Sequence, residues 1–238
     1  MEGVNTVELV GFYGGDETHA TSAWTSTSRD LTDEKRQRIP ALLKMLADND
    51  HGTPFEKSFL HFLVTTDIAT HIHLIKHRIG VSVNAESARY RALIEDKALV
   101  PSDWPTEWQD RLLAHSKASQ AVYREALDAL TPVLGRKRAK ESARFFLPYA
   151  SQITSDAAFN FRSFILFQKL RNSGHAQKEV RELAQAMLTL VHRTGQFTHS
   201  LEAFGYVIRA NGSQDSGLED GRGEGSEDQS LRPDPTRG

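Results

Sequence analysis

The sequence contains no cysteine. That absence removes disulfides, thiolate metal sites and cysteine nucleophiles together. Long apolar runs are missing as well: no stretch approaches the ~18 residues a membrane span needs. The N-terminus shows neither the basic start nor the apolar core of a secretory signal. A cytoplasmic protein with no membrane partner is expected. An excess of one charge is also lacking, since 29 Lys and Arg face 31 Asp and Glu for a net charge of -2. Nothing pulls the whole chain toward nucleic acid, so any basic site must be local. The ten histidines form no His-Glu-x-x-His or similar helical pair, and no metal site is expected.

What is present suits a globular chain. Of 238 residues, 39% are apolar and 25% charged, enough for one sizeable core with a tail. Residues 1–210 read as a single domain. From Asn211 to Gly238 the residues are mostly Gly, Ser, Asp, Glu and Arg, with Leu218 and Leu231 the only large apolar ones, and a disordered polar tail is expected.

Along the chain, Thr6–Tyr13 reads as a strand closed by Gly14-Gly15-Asp16. The Ser/Thr-rich stretch to Arg29 reads as loop or a short helix around Ala23 and Trp24. Thr32-Asp33-Glu34 signals a helix start ahead of Ile39, Leu42, Leu43 and Leu46, with Pro40 near the start of its regular part. His51 to Glu56 is a loop, and Phe59–Val64 is a short apolar run suited to a buried strand. Thr66-Asp67 can cap a helix whose face carries Ile68, Ile72, Ile75 and Ile79. A long helix is predicted over Glu107–Leu130, punctuated by Pro132 and Gly135, and a second over Lys137–Leu147. Gln152–Phe159 is strand-like. Asn160–Arg171 and Ala176–Val191 follow helical spacing, and Phe204–Arg209 suits a last strand.

The stretch that stands out is Lys76 to Tyr90, Lys-His-Arg-Ile-Gly-Val-Ser-Val-Asn-Ala-Glu-Ser-Ala-Arg-Tyr. Three bases are followed by a turn-like run and a Ser-x-Arg. Arginine forks suit phosphates and carbonyl-rich rings, and a histidine can donate, accept or stack. On helical spacing the three bases fall on the last turn after Ile75, where cations complement the helix dipole without any ligand. A solvated basic helix end is therefore the alternative to a binding site.

The order of the residues resembles the signature of flavin-dependent thymidylate synthases: Arg-His-Arg, seven residues, Ser-x-Arg, usually with Asn-Glu ahead of the serine. Here it is Lys76-His77-Arg78, eight residues, Ser87-Ala88-Arg89. Other blocks match in order. His51-x-Thr-Pro-Phe-Glu56 resembles the family's flavin-side loop. Downstream come Ala143-Arg144-x-x-Leu147-Pro148, Asn160-Phe-Arg162-Ser163, and Leu170-Arg171-x-x-x-His175-Ala176-Gln177-x-Glu179. The blocks span about residues 51 to 182.

The resemblance implies an α+β fold, a curved, mainly antiparallel sheet flanked by helices. It implies a homotetramer with active sites where subunits meet, the basic triplet and the Asn160–Arg162 block coming from different subunits. It implies FAD as cofactor, with dUMP, methylenetetrahydrofolate and NADPH as small-molecule substrates. The missing cysteine is in keeping, because cysteine-dependent thymidylate synthases activate the pyrimidine by thiol addition, whereas this family uses reduced flavin as hydride source. Carried over by motif, Thr53, Lys76, His77, Arg78, Asn84, Asn160 and Arg162 fall at flavin positions. His73, Lys76, Glu86, Ser87, Ala88, Arg89 and Arg144 fall at nucleotide positions, the serine and arginines on the phosphate. Arg171 is the catalytic candidate, facing the uracil, where a fixed cation stabilises charge on N3 and the carbonyl oxygens. Surface ion pairing is the alternative for Arg144 and Arg171.

The departures cluster on the nucleotide side: Lys76 for arginine, His73 for glutamine, Ala85 for glutamate with Glu86 one place later, one extra residue, and Leu166 for a polar flavin contact. They leave open a family member with a different pyrimidine nucleotide or product, for example hydroxymethylation. A non-catalytic nucleotide- or RNA-binding protein is a third reading, which the slight acidity and the lack of a basic face interleaved with aromatics disfavour.

Overall fold

A computed structural model describes residues 2–87, 97–208 and 214–216. Two compact units are present, residues 1–204 and 205–238. The first carries β1 (Glu2–Gly3), β2 (Thr6–Tyr13), α1 (Asp16–Trp24), α2 (Asp33–Asp48), β3 (Phe59–Asp67), α3 (Ile68–Ile75), β4 (Val81–Ala85), β5 (Ala98–Leu99), α4 (Thr106–Ala143), β6 (Gln152–Asn160), α5 (Phe161–Arg171), α6 (Lys178–Arg193) and α7 (Thr198–Ala203). The second holds β7 (Tyr206–Ile208) paired antiparallel with β8 (Gln214–Ser216). The second strand of that hairpin falls in the segment expected as a tail; the rest of 211–238 lies outside the described residues.

The scaffold of the first unit is a four-stranded antiparallel sheet in the order β2-β3-β6-β4. Alternation decides its faces. Leu60, Phe62 and Val64 of β3, with Ala157 and Phe159 of β6, are fully buried. Phe164 and Phe167 of α5 pack their rings on that face, against Phe62 and Phe159. Amphipathic α6 closes the layer with Val180, Leu183, Met187, Leu188 and Val191 buried, and Gln168 Nε2 of α5 donates to the Ala184 carbonyl of α6 at 2.9 Å. On the opposite face Phe59 and Leu63 are exposed, and His61 hydrogen-bonds Asp156 across the strands. This is the expected α+β architecture, an antiparallel sheet flanked by helices.

Several elements differ from the sequence expectation. The Ser/Thr-rich stretch after Asp16 forms α1, although it has no apolar stripe; its buried residues are Asp16, His19 and Ala20. α2 begins at Asp33, capped by the Thr32 hydroxyl on the Lys35 N–H, and runs through Pro40. The two predicted helices around Gly135 form one element in which Gly135 alone is non-helical, at φ 77. Its two arms share a cluster of Tyr123, Leu127, Ala139 and Ala143, against which Leu147 packs. The triplet does not lie on a last helical turn. α3 stops at Ile75, Lys76 is its C-cap, and His77 and Arg78 stand in the loop beyond. The run that followed the triplet, read as turn-like, is strand β4.

Candidate active site

The triplet loop is held from three sides. The His77 N–H donates to the Leu74 carbonyl at 3.2 Å, tying the loop to buried Leu74 at the end of α3. The His77 ring packs edge-on against Phe167 of α5, with centroids 5.0 Å apart. Its Nε2 accepts a hydrogen bond from Arg171 Nε at 3.1 Å. An acceptor at Nε2 means a neutral imidazole with its proton on Nδ1. Burial, then the cations Arg171 and His73, bring the His77 pKa down to about 4.

Beyond His77 the loop is clasped to the start of α5. Asn160 caps that helix, its side-chain oxygen accepting from the Ser163 N–H at 2.8 Å. The Asn160 N–H donates to the Gly80 carbonyl at 2.9 Å, and the Ser163 hydroxyl to the Ile79 carbonyl at 2.7 Å. Gly80 sits at φ 63, and a Cβ there would overlap the Asn160 amide and the Ser163 hydroxyl. Within the chain, the end of the triplet loop thus packs against the Asn160–Ser163 start of α5.

The third piece is the short 3-10 turn Thr53–Glu56, which leaves Thr53 exposed. Glu56 takes a hydrogen bond from Arg162 Nη1 at 2.7 Å, and Gly52 leaves no room for a Cβ beside the Arg162 guanidinium. The turn is anchored from beneath by buried Phe55, which packs on His19, Phe161 and Phe204. A hydrogen-bonded chain continues there. Ser200 gives its hydroxyl proton to Asp16 at 2.6 Å, so its oxygen accepts from His19 Nδ1 at 2.8 Å, and His19 Nε2 accepts from Ser58 at 2.7 Å. Sequence reading missed this network entirely. Its members come from distant parts of the chain and follow no motif.

Not every candidate joins the group. Lys76 and Arg78 are exposed, and their side chains form no hydrogen bond or ion pair with a described residue. Arg144 is exposed in a 3-10 turn after α4 and has no side-chain partner among the described residues. His73 is half-buried on α3 and raises the positive potential at His77. Asn84 lies opposite Asp156, on the exposed face of β4. The Glu86 N–H extends the ladder to the Thr154 carbonyl at 2.8 Å, and its carboxylate accepts from the Thr154 N–H at 3.4 Å. By strand alternation Glu86 shares the face of Asn84, whereas adjacent Asn-Glu residues would take opposite faces. Ser87 is half-buried. Ala88 and Arg89 lie outside the described residues.

The residues present suit an anionic ligand with a flat ring. Among the described residues two exposed cations lack carboxylate partners, and an arginine with both Nη groups unengaged is bonded to the histidine between them. Among the described residues no helix is long and apolar enough to cross a membrane.

Comparison with known proteins agrees with this arrangement. The family model described as thymidylate synthase complementing protein matches residues 8–194. The flavin-dependent thymidylate synthase of Pseudothermotoga lettingae is 32% identical over 186 residues, covering 76% of this chain and 82% of that one. The Streptomyces avermitilis enzyme of the same name is 30% identical over 205 residues, covering 78% and 82%. Among solved structures, the UMP/dUMP methylase PolB from Streptomyces cacaoi bound with 5-Br dUMP superposes with a TM-score of 0.71 at 27% identity, covering 85% of this chain and 95% of that chain. From the matched residues, the antiparallel sheet and the clasped triplet loop together, the chain belongs to the flavin-dependent thymidylate synthase family.

Proposed function

We propose that this protein is a thymidylate synthase that converts dUMP to dTMP, taking the one-carbon unit from methylenetetrahydrofolate, in the cytoplasm and as a homotetramer. The observation that carries the reading is Arg171: half-buried, bonded through Nε to a neutral His77, and without a carboxylate partner among the described residues. Its charge is left uncompensated for the pyrimidine. Negative charge developing on N3 and the carbonyl oxygens is stabilised by such a cation, which makes C5 more nucleophilic toward the one-carbon unit. Ser87, Arg89 and Arg144 hold the phosphate, with Lys76, Glu86, Ala88 and His73 lining the nucleotide. Thr53, His77, Arg78, Asn84, Asn160 and Arg162 hold FAD, which supplies hydride when reduced by NADPH. Arg78 and Lys76 meet phosphate oxygens, and Arg162 offers its remaining N–H groups while Glu56 fixes its direction.

The test is a product assay. Purified protein carrying oxidised flavin absorbs near ~450 nm, a property of the cofactor. With dUMP, methylenetetrahydrofolate and NADPH it should yield a nucleotide heavier by one methylene unit. Flavin reduction without a new nucleotide, under anaerobic conditions with every substrate present, refutes the reading. A second reading is favoured by the PolB structures, one of which holds 5-Br UMP at a TM-score of 0.70. Together with the departures at His73, Lys76 and Ala85, that neighbour suggests UMP as an alternative substrate. Competition between dUMP and UMP decides it, and mass identification also reveals a hydroxymethylated product.

A further inference from the structure

We infer that His77 is a positioning residue for Arg171: its Nε2 accepts the Arg171 Nε–H, fixes the plane of the guanidinium, and leaves both Nη groups to one planar ring that bears acceptors. The inference rests on the reading that Arg171 meets the pyrimidine.

The two side chains are 94 residues apart in sequence, yet each is placed independently of the other. His77 is set by its backbone bond to Leu74 and by the Phe167 ring. Arg171 closes α5, one turn after Phe167 on the same helix. A guanidinium has two usable edges, and the bond at Nε constrains its remaining rotation. A carboxylate in the place of His77 would orient the arginine as firmly but would offset its charge. A neutral imidazole orients without offsetting, so the full positive charge remains for the base. The charged groups around His77 keep it in that state: Arg171 from α5 and His73 from α3, in a half-buried setting, oppose protonation. Lys76 and Arg78 flank it in the loop with the same sign.

The experiment compares His77→Phe, which keeps a ring on Phe167 but has no acceptor, with His77→Gln, whose amide oxygen can stand near the Nε2 position. Turnover of His77→Phe at saturating dUMP should fall about 10–100-fold, the loss expected for one hydrogen bond to a charged group. With turnover expressed per bound flavin, its half-saturation concentration for dUMP should stay close to wild type, and His77→Gln should recover most of the turnover. In an Arg171→Ala background, His77→Phe should add no further loss. Unchanged turnover in His77→Phe, equal loss in His77→Gln, or a full additional loss in the double variant overturns the inference. A readout independent of turnover is the nitrogen NMR signature of His77, assigned by its disappearance in His77→Gln. Wild type should show the proton on Nδ1, and Arg171→Ala should shift the ring toward a mixture of tautomers. A proton on Nε2 in wild type refutes the positioning role even if the nucleotide chemistry proves different. Absence of any methylated product with the expected tautomer present refutes the proposed reaction instead.

Discussion

His19 shows how one residue can shape both stability and the site. It is fully buried among aromatic rings, with both nitrogens bonded, and burial lowers its pKa from 6.5 to about 3. In the unfolded chain it titrates at its ordinary value, so below about pH 6.5 the unfolded state binds a proton that the folded state refuses. Stability from this group is present above that pH and is lost as pH falls toward 3. Unfolding free energy should be about 2 kcal/mol lower at pH 5 than at pH 7 from His19 alone, and buried His71, whose pKa is also lowered, acts in the same direction. Denaturant titrations of wild type and His19→Asn at both pH values check it; equal slopes against pH would exclude His19 as the source. Because Ser58 follows the Thr53–Glu56 turn so closely, the same substitution should loosen flavin retention. None of this was legible beforehand. A histidine in a Ser/Thr-rich stretch carries no pattern, and its partners Ser58 and Ser200 lie 39 and 181 residues away.

Among the elements, the junction between β4 and α5 is the most demanding. Gly80 at positive φ, the Asn160 cap and the Ser163 hydroxyl occupy one small volume. Gly80→Ala adds about 1–2 kcal/mol of backbone strain for a left-handed conformation, before the overlap with Asn160 is relieved. It should lower stability by at least that much and weaken flavin retention, read by denaturation and by absorbance after gel filtration. Wild-type values in both would show that the clasp is dispensable. Element reading from sequence succeeded where burial has a period. Val180, Leu183, Ala184, Met187, Leu188 and Val191 mark α6, and Phe161, Phe164 and Ile165 mark α5. At α1 it offered a short helix around Ala23 and Trp24 only beside loop, because the helix buries Asp16 and His19 rather than an apolar stripe. It failed at β4, where Val81, Val83 and Ala85 alternate with Ser82 and Asn84 as a half-buried strand does, but over only five residues directly after Gly80. The site's basic loop was legible through its residue order, but its position outside α3 depends on Gly80, whose role appears only when Asn160 arrives from the far end of β6.

For the whole molecule, the first unit ends at Phe204. A chain cut after Ala210 keeps that unit intact and removes β8. It should fold, assemble and retain flavin as the full chain does. Gel filtration with absorbance detection checks this, and loss of the tetramer would assign the removed residues to an interface. The sheet order has a further consequence for motion. β3 and β6 are each paired on both sides, whereas β4 is paired only with β6 among the described residues. Edge strands open at lower free energy than the global transition. The basic loop precedes β4 and Ser87 follows it, so this edge should melt as a separate segment. Amide hydrogens of Val81–Ala85 should exchange with deuterium faster than those of Leu60–Val64, and a pyrimidine nucleotide should slow them while leaving β3 unchanged. Under gentle denaturation the protein should therefore lose its chemistry while its core remains folded, so inactivation and unfolding become two events with two midpoints.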